Sequence, residues 1–189
     1  MQENKGVYIG LVHYPVYNKH REVVATSITT IDLHDFSRVT RTYGIDRFYV
    51  VTPLKSQREL AQRVFDHWTQ GYGARSNPTR KEAVSRGEIK DSVEDVIREI
   101  ESLHGKKPKI AITAARSSGP RTPYSELRAL IAGGEPIIIL FGTGWGMEKG
   151  LMARADYILP PIQGEADYNH LPVRAAAAIT LDRILGDRE

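Results

Sequence analysis

Pro136-Ile-Ile-Ile-Leu-Phe-Gly-Thr-Gly-Trp-Gly-Met147 carries an apolar run, Ile137 to Phe141, straight into three glycines within five positions. A continuous apolar run of that length reads as a strand buried on both faces, the mark of a parallel sheet covered by helices. Glycine immediately after it lets the backbone itself face a ligand. The event recurs in Asp156-Tyr-Ile-Leu-Pro-Pro-Ile-Gln-Gly-Glu-Ala-Asp-Tyr-Asn-His-Leu171, where Pro160 and Pro161 stiffen the loop and remove two N–H donors. An Ala-rich helix follows. Two buried strands that open into such loops predict an α/β fold with a pocket at the C-terminal ends of the strands, the alternative for each loop being a tight or stiff connection.

Upstream, Val7 to His13 reads as a first strand, Tyr14 to Glu22 as a loop, and Val23 to Ile31 as a second β-branched, Thr-rich stretch. Asp32 is placed to cap a helix whose apolar face is Phe36, Val39 and Tyr43 and which Gly44 closes. Arg47 to Thr52 is the next strand. Ser56-Gln-Arg-Glu59 has the form of a capping box, and Leu60, Val64, Phe65 and Trp68 behind it have helical spacing up to Gly71 and Gly73. The mixed stretch from Tyr72 to Lys90 admits two readings, a solvated and partly helical excursion or an RNA-contacting surface. Asp91 to His104 is an amphipathic helix with Val93, Val96, Ile97, Ile100 and Leu103 inward and Gly105 past its end. Lys109 to Thr113 is a strand; Thr122 and Pro123 suit the cap and first turn of a helix ending at Gly133-Gly134; and Pro172 opens the last helix, which Gly186 terminates. Strand-then-helix alternation of this kind predicts a mostly parallel sheet flanked by helices.

The length of 189 residues suits a single domain over 1–189 with a sizeable core, and 41% hydrophobic with 26% charged residues is the composition of a soluble globular chain. Without cysteine there is no disulfide framework, thiolate zinc site or cysteine nucleophile. The longest apolar runs fall far short of the roughly 20 residues that span a bilayer, and the N-terminus lacks a signal pattern, so the expected location is cytoplasmic, with no membrane partner. A net charge of +3 permits a polyanionic partner without requiring one.

Gly142-Thr-Gly-Trp-Gly146 meets neither G-x-x-x-x-G-K-[ST] nor G-x-G-x-x-G, since Met147 stands where the last glycine would be. Phosphate-loop and dinucleotide chemistry therefore lose weight. Taken together, Phe141 to Met147, Ile158-Leu-Pro-Pro-Ile162 and His170-Leu-Pro-Val-Arg-Ala-Ala-Ala-Ala-Ile179 resemble, in order and spacing, the C-terminal signature of the SPOUT superfamily of trefoil-knotted RNA methyltransferases. The chain is most similar to a bacterial branch akin to the tRNA guanine-N1 methyltransferases, in which the second motif continues Asp167-Tyr-Asn-His-Leu171. An upstream arginine five residues before an aromatic-glycine pair, known from the ribose 2'-O branch, finds a counterpart in Arg38 with Tyr43-Gly44; that branch's asparagine and glycine fall on Asp32 and His34 here, a departure.

The resemblance implies a deep C-terminal trefoil knot, with the segment after Tyr157 threaded through a preceding loop. It implies S-adenosyl-L-methionine as cofactor, held by Leu140, Gly142, Thr143 and Gly144 of one loop, by Ile158, Pro160 and Ile162 of another, and by Leu171 at the start of the last helix, with Thr113 beside them. It implies a homodimer whose active sites draw on both subunits and an RNA substrate, tRNA or rRNA. Independently, Ala175 to Ala178 with Val173 and Ile179 make a helix apolar nearly all round, suited either to the core or to a dimer contact through the C-terminal helix.

Methyl transfer needs in-line alignment of a nucleophile with an activated methyl and a group to take the departing proton, and it needs no metal. Arg38, Asp167, Asn169 and His170 are the candidates to orient the nucleotide or accept that proton. Arg38 suits phosphate binding or charge stabilisation because arginine stays protonated, and Asp167 is the natural proton acceptor. Arg116 and Arg121 are either phosphate contacts or solvated. An alternative from another class is a non-catalytic RNA-binding module that retains the knotted cofactor pocket.

Overall fold

The computed structural model describes residues 5–115, 120–166 and 168–187. Six strands form one parallel sheet: β1 (Val7–Val12), β4 (Arg47–Val51), β5 (Gly87–Lys90), β6 (Lys109–Ile112), β7 (Ile137–Gly142) and β8 (Tyr157–Ile158), in the order β5-β4-β1-β7-β6-β8. Two short strands, β2 (Val16–Tyr17) and β3 (Val23–Val24), make an antiparallel hairpin beside it. The eight helices among the described residues are α1 (Thr30–Thr42), α2 (Lys55–Thr69), α3 (Tyr72–Ser76), α4 (Pro78–Val84), α5 (Val93–His104), α6 (Tyr124–Ala132), α7 (Lys149–Met152) and α8 (Val173–Leu185).

Strand alternation divides the core in two. Val7, Ile9 and Leu11 of β1 and Ile137, Ile139 and Phe141 of β7 face α1, α2, α6 and α8. Tyr8, Val12, Ile138 and Leu140 face the other way, onto α5 and α7. Both faces of β1 and β7 are thus buried, which is why these strands read as unbroken apolar runs. From β1 the chain builds outward through β4 and β5 on one side, while β7, β6 and β8 lie on the other. The C-terminal ends of β1 and β7, in register at Val12 and Gly142, are therefore the switch point where open α/β sheets bind ligands.

Several local expectations change. The Thr-rich stretch from Val23 to Ile31 gives only two strand residues, because Thr29 takes an extended backbone and caps α1 in place of Asp32. Its hydroxyl accepts from the Asp32 N–H at 3.2 Å and donates to Asp32 Oδ2 at 2.6 Å, a reciprocal pair that outcompetes a strand. The Ser56-Glu59 box does not form: α2 starts two residues earlier, behind Leu54, whose carbonyl takes the Gln57 and Arg58 N–H groups at 3.0 Å each. Leu60 and Leu103, expected inward, are 38% and 52% exposed, and Ala61 takes the inward place in α2. The stretch from Tyr72 to Lys90 is partly helical and mostly at the surface, as α3 and α4, but its end forms the edge strand β5. Thr122 does not cap α6 but donates its N–H to the Ile158 carbonyl at 2.9 Å; Pro123 and Pro172 occupy the cap positions of α6 and α8 rather than their first turns.

Candidate active site

The loop after β7 is fixed from below. Thr143 sends its N–H and its hydroxyl to the Val12 carbonyl, at 3.2 and 3.0 Å. Its oxygen lies 2.5 Å from Thr26 Oγ1, which in turn lies 3.0 Å from His13 Nδ1. Because the Thr143 proton goes to Val12, Thr26 must donate to Thr143 and accept from His13, which places the imidazole proton on Nδ1. His13 is 1% exposed, its Nε2 has no partner, and burial lowers its pKa to about 4, against a smaller opposing pull from Asp32. A neutral histidine thus anchors the glycine loop through two threonines.

The same loop is laced to the β2–β3 hairpin. Trp145 N–H donates to the Tyr17 carbonyl at 2.9 Å, Tyr17 N–H to the Gly146 carbonyl at 2.8 Å, and Val16 bridges Met147. Gly144 has φ +59, and a β-carbon there would stand 2.9 Å from the Tyr17 oxygen, so the turn requires glycine.

The other loops converge on the neighbouring strand ends. Thr113 donates its N–H and hydroxyl to the Leu140 carbonyl, both at 3.2 Å, so the polar atoms of this pair tie β6 to β7, and the Leu140 side chain lies in the core. Leu159 N–H donates to Ile112 at 2.9 Å, and Tyr124 Oη to the Pro160 carbonyl at 3.2 Å, which sets the proline loop against α6. Ile158, Pro160 and Ile162 are half-buried along it. Asn169 donates from Nδ2 to the Ala115 carbonyl at 3.0 Å, joining the stretch before α8 to the loop after β6. Tyr168 is 75% exposed and meets the His170 ring edge-on at 5.4 Å, and Leu171 is 42% exposed. Asp167 and Arg116 lie outside the described residues. The structure thus brings Thr113, the Gly142 to Gly144 turn, the Pro160 loop and Asn169 to one end of the sheet.

Arg38 stands apart. It is exposed on α1 and lines a cavity of about 340 Å³ with Arg41, Asn77, Thr79 and Arg80. Its helix is tied to the start of α8, where Arg174 lies 3.5 Å from Asp32 and 3.3 Å from Asp35. A larger cavity, about 520 Å³, opens between Tyr14, Pro15, the start of α5 and α7. Asp91, Glu94, Asp95 and Glu148 line it and its Arg154 is paired with Glu94, so it is ill suited to a polyanion. Arg121 has one guanidinium nitrogen buried without a partner. Among the described residues no cluster of His, Asp and Glu has the makings of a metal site, and no helix is long and apolar enough to cross a membrane.

The sequence offered no sign of the His13–Thr26–Thr143 chain or of the Arg174 bridge to α1. His13 looked like the end of a strand, and Thr26 is 117 residues from its partner.

Comparison with known proteins gives this end of the sheet its context. The chain matches the family model described as SAM-dependent RNA methyltransferase over residues 6–186. It is 44% identical over 183 residues to the tRNA (guanine-N(1)-)-methyltransferase of Nitratidesulfovibrio vulgaris (strain Hildenborough), covering 97% of this chain and 43% of that protein. It is 42% identical to an uncharacterized protein of Aquifex aeolicus (strain VF5), covering 96% of this chain and 89% of that one. The chain therefore spans less than half the length of the guanine-N(1) relative. In fold it is similar to the SpoU methyltransferase AviRb from Streptomyces viridochromogenes, with a TM-score of 0.61 at 12% identity over 97% of this chain and 60% of that one. It is likewise similar to the TrmH/SpoU tRNA modifying enzyme of A. aeolicus, with a TM-score of 0.57 at 15% identity over 97% and 76%. The three C-terminal motifs and the family match agree: the chain belongs to the SAM-dependent RNA methyltransferase family.

Proposed function

We propose that this chain transfers a methyl group from S-adenosyl-L-methionine to a nucleotide of RNA, and that the RNA is a tRNA. The observation that carries the reading is the convergence, within a family match covering nearly the whole chain, of the Gly142 turn, the proline loop and the Asn169 stretch on one end of the sheet. The tRNA assignment rests on the guanine-N(1) relative, of which this chain covers 43%.

The residues present fit the cofactor. The proline loop is stiff and half-buried, suited to reading an adenine edge, and Gly144 lets the turn pack closely on the β2–β3 hairpin. The Gly142 to Gly144 turn, the Ile158 to Ile162 loop, Thr113 and Leu171 would hold it. When bound, the cofactor supplies a sulfonium-activated methyl. The protein's own part is to orient the acceptor nucleotide and to take its proton, Asp167 as acceptor, Asn169 positioning the stretch that carries it, and Arg38 holding phosphate or developing charge.

The knot is supported by the surroundings of β8: Ile112 bonds Leu159 on one side, Thr122 bonds Ile158 on the other, and the chain from Ile112 to Thr122 joins the two. A dimer through α8 is supported by the half-buried Ala175 and Ile179, which lie opposite its core-facing Ala177, Leu181 and Ile184. A cytoplasmic location fits an RNA substrate.

The test is incorporation of labelled methyl from S-adenosyl-L-methionine into bulk tRNA and rRNA, with calorimetry of cofactor binding. Wild type should label tRNA, and Asp167→Asn should keep cofactor affinity while losing about a hundredfold or more in rate. Cofactor binding without labelling of either RNA would favour the non-catalytic module. No cofactor binding would overturn both.

A further inference from the structure

We infer that the hairpin tip from Tyr17 to Glu22 and the indole of Trp145 form one docking surface for a single-stranded segment of RNA, with Trp145 stacking on an unpaired base. This rests on the reading of the chain as an RNA methyltransferase and says where, beside the cofactor loops, the substrate is gripped.

Trp145 is 67% exposed, although it sits in a turn whose backbone is fixed on both sides. An indole held in water by a rigid turn forgoes the burial that an aromatic of its size ordinarily finds, and its ordering cost has already been met before a ligand arrives. The hairpin that fixes it has an ordered and cationic tip. Asn18 Oδ1 accepts from the His20 and Glu22 N–H groups at 2.8 and 3.0 Å, and Arg21 takes φ +66 with its guanidinium 5.8 Å from the Tyr17 ring centroid. Lys19, His20 and Arg21 are all exposed there. The exposed Lys149 at the start of α7 is tethered beside this tip by its main-chain N–H, which donates to Tyr17 Oη at 3.2 Å.

The two acids of the surface are already engaged with neutral donors: Glu22 accepts from Asn18 Nδ2 at 2.7 Å, and Glu148 caps α7 through the Gly150 and Leu151 N–H groups. Exposed cations interleaved with an exposed ring are what a single strand asks for, phosphates to be neutralised and bases to be stacked. A second copy of the chain is the poorer occupant, because a two-fold contact here would set Lys19 and Arg21 against their own copies. Trp145 lies between Gly144 and Gly146 of the turn that walls the proposed cofactor site, so a base stacked on it stands next to that site.

The chain has two tryptophans, so Trp68→Phe leaves Trp145 as the only indole reporter. That protein is titrated with a labelled single-stranded oligouridylate of about 12 nucleotides and with a duplex of equal length, following fluorescence and anisotropy. The single strand should quench Trp145 saturably and more strongly than the duplex. Trp145→Ala should weaken the single strand about fivefold or more, with Trp145→Phe restoring part of the loss. The double variant Lys19→Glu, Arg21→Glu should weaken it about tenfold or more and flatten the salt dependence, while calorimetric affinity for S-adenosyl-L-methionine stays at the wild-type value. Wild-type RNA affinity in these variants, absence of quenching, or a fall from dimer to monomer mass in Trp145→Ala would overturn the surface while leaving the methyltransferase reading in place. Failure of the wild type to bind RNA and cofactor at all would remove both.

Discussion

His13 shows how a buried residue beneath a loop shapes the site above it. In the unfolded chain it titrates near 6.5, and in the fold burial brings it to about 4. Between those values the unfolded state binds more protons, so stability is full above about pH 6.5, falls as the pH drops toward about 4, and stays low below that. The loss amounts to up to about 3 kcal/mol. Urea unfolding of wild type and His13→Gln at several pH values in that window should show the slope in the first and a reduced slope in the second; equal slopes would assign the acid sensitivity to other groups. Gly144 is the complementary case, a residue whose lack of a side chain is what matters. Gly144→Ala places a β-carbon 2.9 Å from the Tyr17 oxygen at a left-handed φ, so it should lower stability by roughly 1–2 kcal/mol and weaken cofactor binding severalfold. Thermal melts and calorimetry read the two effects separately. If melting falls and affinity does not, the turn is structural only.

At the level of elements, the edge strand β5 is the lesson. Its residues Gly87, Glu88, Ile89 and Lys90 are all half-buried, and only one is strongly apolar. No period-two pattern can announce a strand of that kind; what makes it a strand is the partner, β4, and the ring of Phe65 laid over Gly87. A β-carbon at Gly87 would stand 2.6 Å from that ring, so Gly87→Val, favourable by strand propensity, should instead cost about 1–3 kcal/mol in urea denaturation. Stabilisation would show that α2 can move away. The contrast with β1 and β7 says what was legible. Where burial on both faces dictates residue type, as in Val7 to Val12 and Ile137 to Phe141, the strand stands in the sequence. The glycine helix ends were legible at Gly44, Gly105, Gly133-Gly134 and Gly186, with a left-handed φ at Gly44, Gly105 and Gly134. Thr29 over Asp32, or Leu54 over Ser56, turned on backbone geometry that residue type alone does not encode. The loops of the candidate site were legible because prolines and glycines are chosen for backbone reasons. The threonine–histidine chain beneath them was not, since its partners meet only after the sheet has formed.

On the scale of the whole molecule, the proposed dimer makes Arg38 the residue to test. It lines a cationic cavity on α1, Asn169 is bonded to the loop after β6, and Asp32 and Asp35 of α1 pair with Arg174 at the start of α8. If a two-fold dimer through α8 brings one subunit's Arg38 to the other's Asp167 stretch, each site is shared, and two separately inactive proteins should complement each other. Interface dependence comes first: Ile179→Glu, on the half-buried outer side of α8, should convert a dimer to a monomer in sedimentation while changing the melting temperature little. Then Arg38→Ala and Asp167→Asn, each inactive alone, are mixed in equal amounts and allowed to exchange subunits. About half of the resulting dimers are heterodimers, and each of those has one site with both wild-type residues, so about a quarter of wild-type specific activity should return. Carrying Ile179→Glu in both partners should abolish the recovery. If both residues serve the same subunit's site, every heterodimer site lacks one of them and the mixture stays inactive, which would return Arg38 to the role of a surface phosphate contact.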